Sequence, residues 1–343
     1  MKIPRRELVT RCLTDVASAR MSLTTTTPQT YYEDRGNGEA LLMIVGFAAS
    51  AASLEPLAKL WSERYRTIIY DHPGTGRSSK RSCPLSTAAL AASAARVLDE
   101  LGIESAHVAG LSLGGVIAQE LALRFPHRVR GLILIGTSTS GLLSTLPDPR
   151  KWALATARIA GASARRRRLW LAPAMFASDF VERHPDRAEV LLSSLGAHPP
   201  PPWSLAGQYV AAGLHDSSLA LRRIRAPTLV LHGANDILVP ASNADRLAEG
   251  IPDAELQILT GAGHGLPFEL REQTFEIVGE WLSRRRPSAG DQPDAAAERT
   301  ERVTRRLAVP LGALRLGRSA VILACRTLLP LRADHDHPQV HCR

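Results

Sequence analysis

Cysteine, lysine, aromatic residues and long apolar runs are all scarce in this chain, and each scarcity excludes something. The four cysteines, Cys12, Cys83, Cys325 and Cys342, stand far apart, in neither a metal-ligand spacing nor a disulfide framework. That usage fits a reducing compartment. No run approaches the roughly 18–20 apolar residues that a spanning helix needs. Arg5 and Arg6 lead only into a segment broken by threonine, arginine and aspartate, which is not the apolar core of a secretory signal. The expected location is therefore cytoplasmic. Met21 offers an alternative start, because residues 1–27 contribute no recognisable element.

Lysine supplies 4 of the 42 basic residues and arginine the other 38. Such a skew reads as coding bias toward arginine rather than as a nucleic-acid surface, and its placement supports that. Between Arg284 and Arg343 there are 12 arginines against 6 acids, so +6 of the net charge of +9 lies in the C-terminal stretch. The rest of the chain is close to neutral, which suits an enzyme of small molecules better than a binder of nucleic acid. Hydrophobic content of 45% and charged content of 22% are those of a globular chain, long enough for one to three domains.

From Thr30 onward short apolar runs alternate with helical patterns. Leu41 to Val45, Thr67 to Tyr70, Ala106 to Ala109, Leu132 to Ile135 and Thr228 to Leu231 read as buried strands, each too short for a helix and closed by turn residues, and Ala254 to Leu259 gives the final strand. Amphipathic stretches lie between them at Leu54 to Trp61, Ser86 to Leu101, Val116 to Phe125 and Ala244 to Glu249, with a closing helix from about Glu269 to Arg284. Nearly continuous apolar strands alternating with helices predict an α/β fold, a mostly parallel, doubly wound sheet covered on both faces. The alternation stops between Thr137 and Arg225. Nearly ninety residues without a buried strand are too many for one loop and predict a helical cap inserted between two sheet strands. The chain thus divides into an N-terminal extension (1–28), a core (29–137 and 226–286), a cap (138–225), and a linker with a basic, amphipathic C-terminal tail (287–343). Three arrangements of that tail stand open: weak membrane-surface contact, packing on the body or a second subunit, and a loose segment.

The chemistry centres on Gly110-Leu111-Ser112-Leu113-Gly114, set directly after a strand and before a helix. Glycines at that spacing remove Cβ atoms where the chain doubles back, so Ser112 can stand exposed above the sheet as a nucleophile. Serine needs a base, and the base needs an orienting acid. His264, in the loop Gly261-Ala262-Gly263-His264-Gly265 after the last strand, is the candidate base. Asp236, in His232-Gly233-Ala234-Asn235-Asp236, is the candidate acid. All three follow the carboxyl ends of parallel strands, where such sheets carry their sites. Histidines at His335, His337 and His341 lie in a terminal, proline-interrupted segment and are not read as a metal site; no metal and no cofactor is expected.

With the order serine, aspartate, histidine, the chain resembles the α/β-hydrolases of the cap-bearing esterase, lactonase and C–C hydrolase group, over about Thr30 to Arg286. Asp71-His72-Pro73-Gly74-Thr75-Gly76-Arg77-Ser78 resembles that family's turn D-x-x-G-x-G-x-S, which is structural there. The other acid position known in the fold follows the strand after the nucleophile helix; here it reads Gly136-Thr137-Ser138-Thr139, without a carboxylate, which leaves Asp236. The resemblance implies oxyanion donors at the backbone N–H groups of Leu113 and Phe47. It departs at Val45, where the family usually has a histidine before Gly46. The backbone donors survive that change, and the side chain that braces the loop does not.

The activity so implied is cofactor-free hydrolysis of a small-molecule carboxylic ester or lactone through an acyl-enzyme. C–C bond hydrolysis or enol-lactone opening, with a cap cation drawn from Arg165 to Arg168, and haloperoxidase or perhydrolase chemistry share the same three residues. A protein of another class, a non-catalytic binder on this fold, is the remaining alternative. Trp152, Trp170, Phe176, Phe180 and Trp203 in the cap either line an apolar pocket or pack cap against core, and the second reading is preferred for each.

Overall fold

The computed structural model describes residues 19–80, 86–140, 171–195 and 197–285. They lie within one folded unit that closes at Arg286, and the linker and tail expected for 287–343 fall outside the described residues, as do all four cysteines and His335, His337 and His341.

Eight strands form a single sheet: β1 (Arg20–Leu23), β2 (Tyr31–Arg35), β3 (Ala40–Ile44), β4 (Arg66–Tyr70), β5 (Ala106–Leu111), β6 (Val129–Ile135), β7 (Thr228–Gly233) and β8 (Ala254–Leu259). Their order across the sheet is β1-β2-β4-β3-β5-β6-β7-β8. The pairs β1–β2 and β2–β4 are antiparallel and every later pair is parallel. The helices α1 (Ala51–Trp61), α2 (Thr87–Glu100), α3 (Leu113–Arg124), α7 (Ser242–Gly250), the short α8 (Leu266–Glu269) and α9 (Arg271–Arg284) connect or close the parallel part.

Side chains on a strand alternate between faces, so a continuous apolar run feeds two cores at once. Leu42, Ile44, Ile68, Val108, Leu132 and Val230 pack on one face with Leu90, Leu98 and Ile117 of α2 and α3. Leu41, Met43, Ile69, Ala109, Ile133 and Leu231 pack on the other with Leu57 and Trp61 of α1 and Trp281 of α9. After β4 the chain crosses back over β3 to lay down β5, so the direction of winding reverses between β3 and β5. A crevice opens beyond the carboxyl ends of strands at such a reversal. The loops that follow β3 and β5 are those carrying Phe47 and Ser112.

The expected N-terminal extension needs correction. Residues 20–23 form β1, which pairs with β2, and β2 itself precedes the first strand read from the sequence. β1 is a short edge strand with Met21 and Leu23 exposed, so it carries none of the apolar continuity of a buried strand; β2 lies inside the sheet, but its Glu33, Asp34 and Arg35 break any apolar run.

Between β6 and β7, the described residues carry helices α4 (Phe180–Arg183), α5 (Pro185–Ser194) and α6 (Pro202–Gly213), with one isolated β-bridge joining Ser140 to Asp216. Phe176 and Phe180, with ring centroids 5.0 Å apart, are buried in the same cluster as Trp61 and Trp281. They pack cap against core as expected, whereas Trp203 on α6 is exposed. Trp152, Trp170 and Arg165 to Arg168 lie outside the described residues. Among the described residues no helix is long and apolar enough to cross a membrane, and no cluster of three potential ligands could hold a metal ion.

Candidate active site

β5 turns into α3 through Ser112, whose φ of 57° lies in the left-handed region that side chains other than glycine's avoid. Such a conformation costs roughly 1–3 kcal/mol, and the surroundings hold it. The Ser112 N–H donates to Ile135 O at 2.9 Å, and Thr137 Oγ1 donates to Ser112 O at 2.7 Å. The flanking glycines are required by space: a Cβ on Gly114 would stand 2.7 Å from Val45 O and closer still to Ile44 O. Because α3 begins at Leu113, its first N–H groups have no carbonyl one turn back and face the approach to Ser112.

Asp236 and His264 come from loops stitched together at the ends of β7 and β8. Ala234 N–H donates to Leu259 O and Asn235 N–H to Ala262 O, each at 2.9 Å. Asp236 Oδ1 accepts the N–H groups of Val239 (2.8 Å) and Leu238 (2.9 Å), and Oδ2 accepts from His264 Nδ1 at 2.8 Å. A carboxylate only accepts, so Nδ1 carries the proton, and Nε2 presents the lone pair of a base. Burial alone would raise the Asp236 carboxyl, but hydrogen bonds from His232 and His264 hold it well below the usual carboxylate range.

Gly136 joins these two halves. It follows β6, whose last carbonyl holds Ser112, and a Cβ placed on it would lie 3.5 Å from both Asp236 Oδ2 and His264 Nδ1. Across the crevice, a Cβ on Gly46 would stand 3.4 Å from Ser112 Cβ and 3.9 Å from its Oγ. The structure therefore brings Ser112, Asp236, His264 and the Phe47 loop to one place.

Four further residues support this place, and sequence reasoning had given none of them a role. His232 is fully buried, donates from Nε2 to Val239 O at 2.8 Å and stands 3.4 Å from Asp236 Oδ2. Glu269 is buried and accepts Gly263 N–H at 2.7 Å and Ala177 N–H at 2.8 Å, tying the His264 loop to the cap segment. His72 Nε2 lies 3.2 Å from Val45 O, which can only accept, so that nitrogen carries the proton. Gln208 on α6 accepts the Ala48 N–H at 2.9 Å. The loop left unbraced by Val45 is thus gripped from two other elements. His72 lies within the quoted D-x-x-G-x-G-x-S motif, so proximity to it was the available signal; Gln208 offered none. The rest of that motif is structural as expected: Asp71 Oδ1 accepts the first N–H of α1 at 2.6 Å and Oδ2 accepts Arg77 N–H at 2.6 Å.

An elbow serine thus stands at a winding reversal, with a histidine–carboxylate pair at the neighbouring strand ends. Residues 39–269 match the alpha/beta hydrolase fold family, and the chain belongs to that family. It is 34% identical to "Putative carbamate hydrolase RutD" of Azorhizobium caulinodans over 257 residues, 73% of this chain and 95% of that protein. Among solved structures it is similar to a thermophilic esterase from Thermogutta terrifontis (TM-score 0.68, 25% identity, 79% of this chain and 100% of that one). It is also similar to Est816, described as an N-acyl homoserine lactone degrading enzyme (TM-score 0.65, 25% identity, 76% and 99% covered). The chain is a hydrolase of this fold.

Proposed function

We propose that the chain hydrolyses a small carboxylic ester or lactone through Ser112, His264 and Asp236, without a cofactor. The observation that carries this is the 2.8 Å hydrogen bond from His264 Nδ1 to Asp236, which leaves Nε2 to act as the base, with Gly136 linking that pair to the strand end that holds the strained Ser112. Ser112 Oγ attacks the acyl carbonyl carbon while His264 Nε2 takes its proton, and Asp236 stabilises the imidazolium. The carbonyl oxygen becomes an oxyanion held by the N–H groups of Leu113 and Phe47. Collapse breaks the bond to the leaving oxygen, which receives the proton from His264, and the acyl group stays on Ser112. Water then attacks the acyl-enzyme with His264 again as base, releasing the acid and restoring Ser112.

A carbamate is the second reading, favoured by the Azorhizobium relative's name. Its carbonyl bears nitrogen on one side and presents the same carbon to the same attack. A fluorophosphonate probe tests the shared chemistry: Ser112 is expected to label in the wild type, not at all in S112A, and slowly in H264A. D236N should lower kcat by about 10⁴, because the amide no longer fixes the histidine tautomer. Folded wild-type protein that stays unlabelled refutes the proposal. Matched p-nitrophenyl esters and carbamates then separate the two readings by which is turned over faster.

A further inference from the structure

We propose that cap helix α6 completes the oxyanion loop through Gln208, which acts as a positioning residue for the Phe47 N–H; this rests on the reading of Ser112 as nucleophile. The loop runs from the end of β3 to the start of α1 and contains Ala48 at φ 59°, a left-handed alanine. Something must hold a non-glycine residue there. The Ala48 N–H donates to Gln208 Oε1 at 2.9 Å, from a residue 160 positions away and 1% exposed. The amide's orientation is fixed by its partner, since only Oε1 can accept from an N–H. At the other end of the loop His72 holds the Val45 carbonyl at 3.2 Å. Phe47 lies between these two grips, one residue after Gly46, which sits against Ser112. The turn after β4 holds the two ends of the loop, through His72 and Asp71, and the cap holds Ala48 between them.

The consequence is that α6 is part of the catalytic geometry and not only a cover. A substrate or substitution that displaces α6 withdraws Gln208, frees Ala48 and misaims the Phe47 N–H without touching Ser112, His264 or Asp236. In a loop without the family's histidine, this brace reaches Ala48 from the cap, three residues before the Asp71 grip on the first N–H of α1.

The test compares Q208M, which keeps the side chain's size and removes the acceptor, with Q208E, which keeps an acceptor at the same reach. Three quantities are read in the full chain: amide exchange at Ala48, the rate of fluorophosphonate labelling, and kcat and KM on one p-nitrophenyl ester. Q208M is expected to exchange faster at Ala48 and to lose about tenfold or more in labelling rate and kcat together, with KM little changed. Q208E is expected to recover most of each. Wild-type rates in Q208M overturn the proposal, as does unchanged Ala48 exchange. Equal losses in Q208M and Q208E also overturn it, by assigning Gln208 to packing. If Q208M does not fold, Q208N, whose shorter side chain withdraws the acceptor, is read against the same outcomes. A wild type that never labels refutes the hydrolase reading instead, while the exchange measurement still reports on the brace.

Discussion

Acid should weaken this protein through His72. The imidazole is fully buried; its Nε2 donates to Val45 O and its Nδ1 has no hydrogen-bond partner among the described residues. Protonation would put a charged N–H at Nδ1 with nothing to receive it. Burial pushes the ring's pKa down from 6.5 to about 4, against the opposing pull of the Val45 carbonyl and of Asp71. The unfolded chain therefore takes this proton first as pH falls, and stability rises with pH wherever the unfolded state holds more protons. The contribution is whole above pH 6.5, is lost between 6.5 and about 4, and changes no further once the folded ring also titrates. At about 1.4 kcal/mol per unit, that window amounts to about 3 kcal/mol.

The comparison that isolates it is H72Q, whose side-chain N–H can still reach Val45 O and does not titrate. Urea unfolding of both proteins at steps from pH 7.5 to 4 gives two stability curves. Every other histidine and carboxylate titrates in both and cancels in the difference. The wild type is expected to lose about 3 kcal/mol more than H72Q over this range. Parallel curves would show that His72 protonates as readily in the fold as in water, and would refute the assignment of a neutral ring bracing the loop.

Two further perturbations test the packing around the site. G114A places a Cβ against the Val45 and Ile44 carbonyls, where only backbone could move, and should cost about 3 kcal/mol or more by thermal unfolding; a loss under about 1 kcal/mol would mean that the elbow is not packed on β3. E269A removes the acceptor of two buried N–H groups, at about 1–3 kcal/mol each, and frees the His264 loop from Ala177. It should lower both the urea midpoint and kcat, and an unchanged midpoint would exclude Glu269 as the tie.

What was legible in the sequence was whatever is built from neighbours in the chain. The elbow around Ser112 shows itself because glycine is demanded within two residues of the serine, at Gly110 and Gly114, by contacts that no Cβ permits. Asp236 shows itself because it follows the apolar run Leu229 to Leu231 and sits among turn residues, and His264 because it sits in a glycine-rich loop after the last strand. β1 did not, since an edge strand half open to solvent needs no apolar continuity, and β2 did not because Glu33, Asp34 and Arg35 interrupt it although it lies inside the sheet. The braces were hidden for a different reason. Gln208 acts on Ala48 from 160 residues away, and nothing near Gln208 in the chain depends on that contact. His72 sits in a motif whose visible demand is for the turn itself, with Gly76 leaving room for Asp71.

Val45 connects the two kinds of information. Read alone, a valine where the family has a histidine is a lost brace, and a loop with one left-handed alanine and no brace would not hold an N–H aimed at an oxyanion. The folded chain supplies the missing restraint twice, from His72 through a carbonyl and from Gln208 through an amide. Both act on backbone atoms and neither on the side chain at position 45, which is free to be apolar and join the core beneath the loop. Val45 is indeed fully buried there, in the cluster that also holds Leu41 and Trp61. Val45 thus stands as core packing where the family has a polar brace, and the loop is held by contacts from His72 and Gln208. For a site of this kind the sequence names the reacting atoms, and the distant backbone contacts decide how steadily they are held.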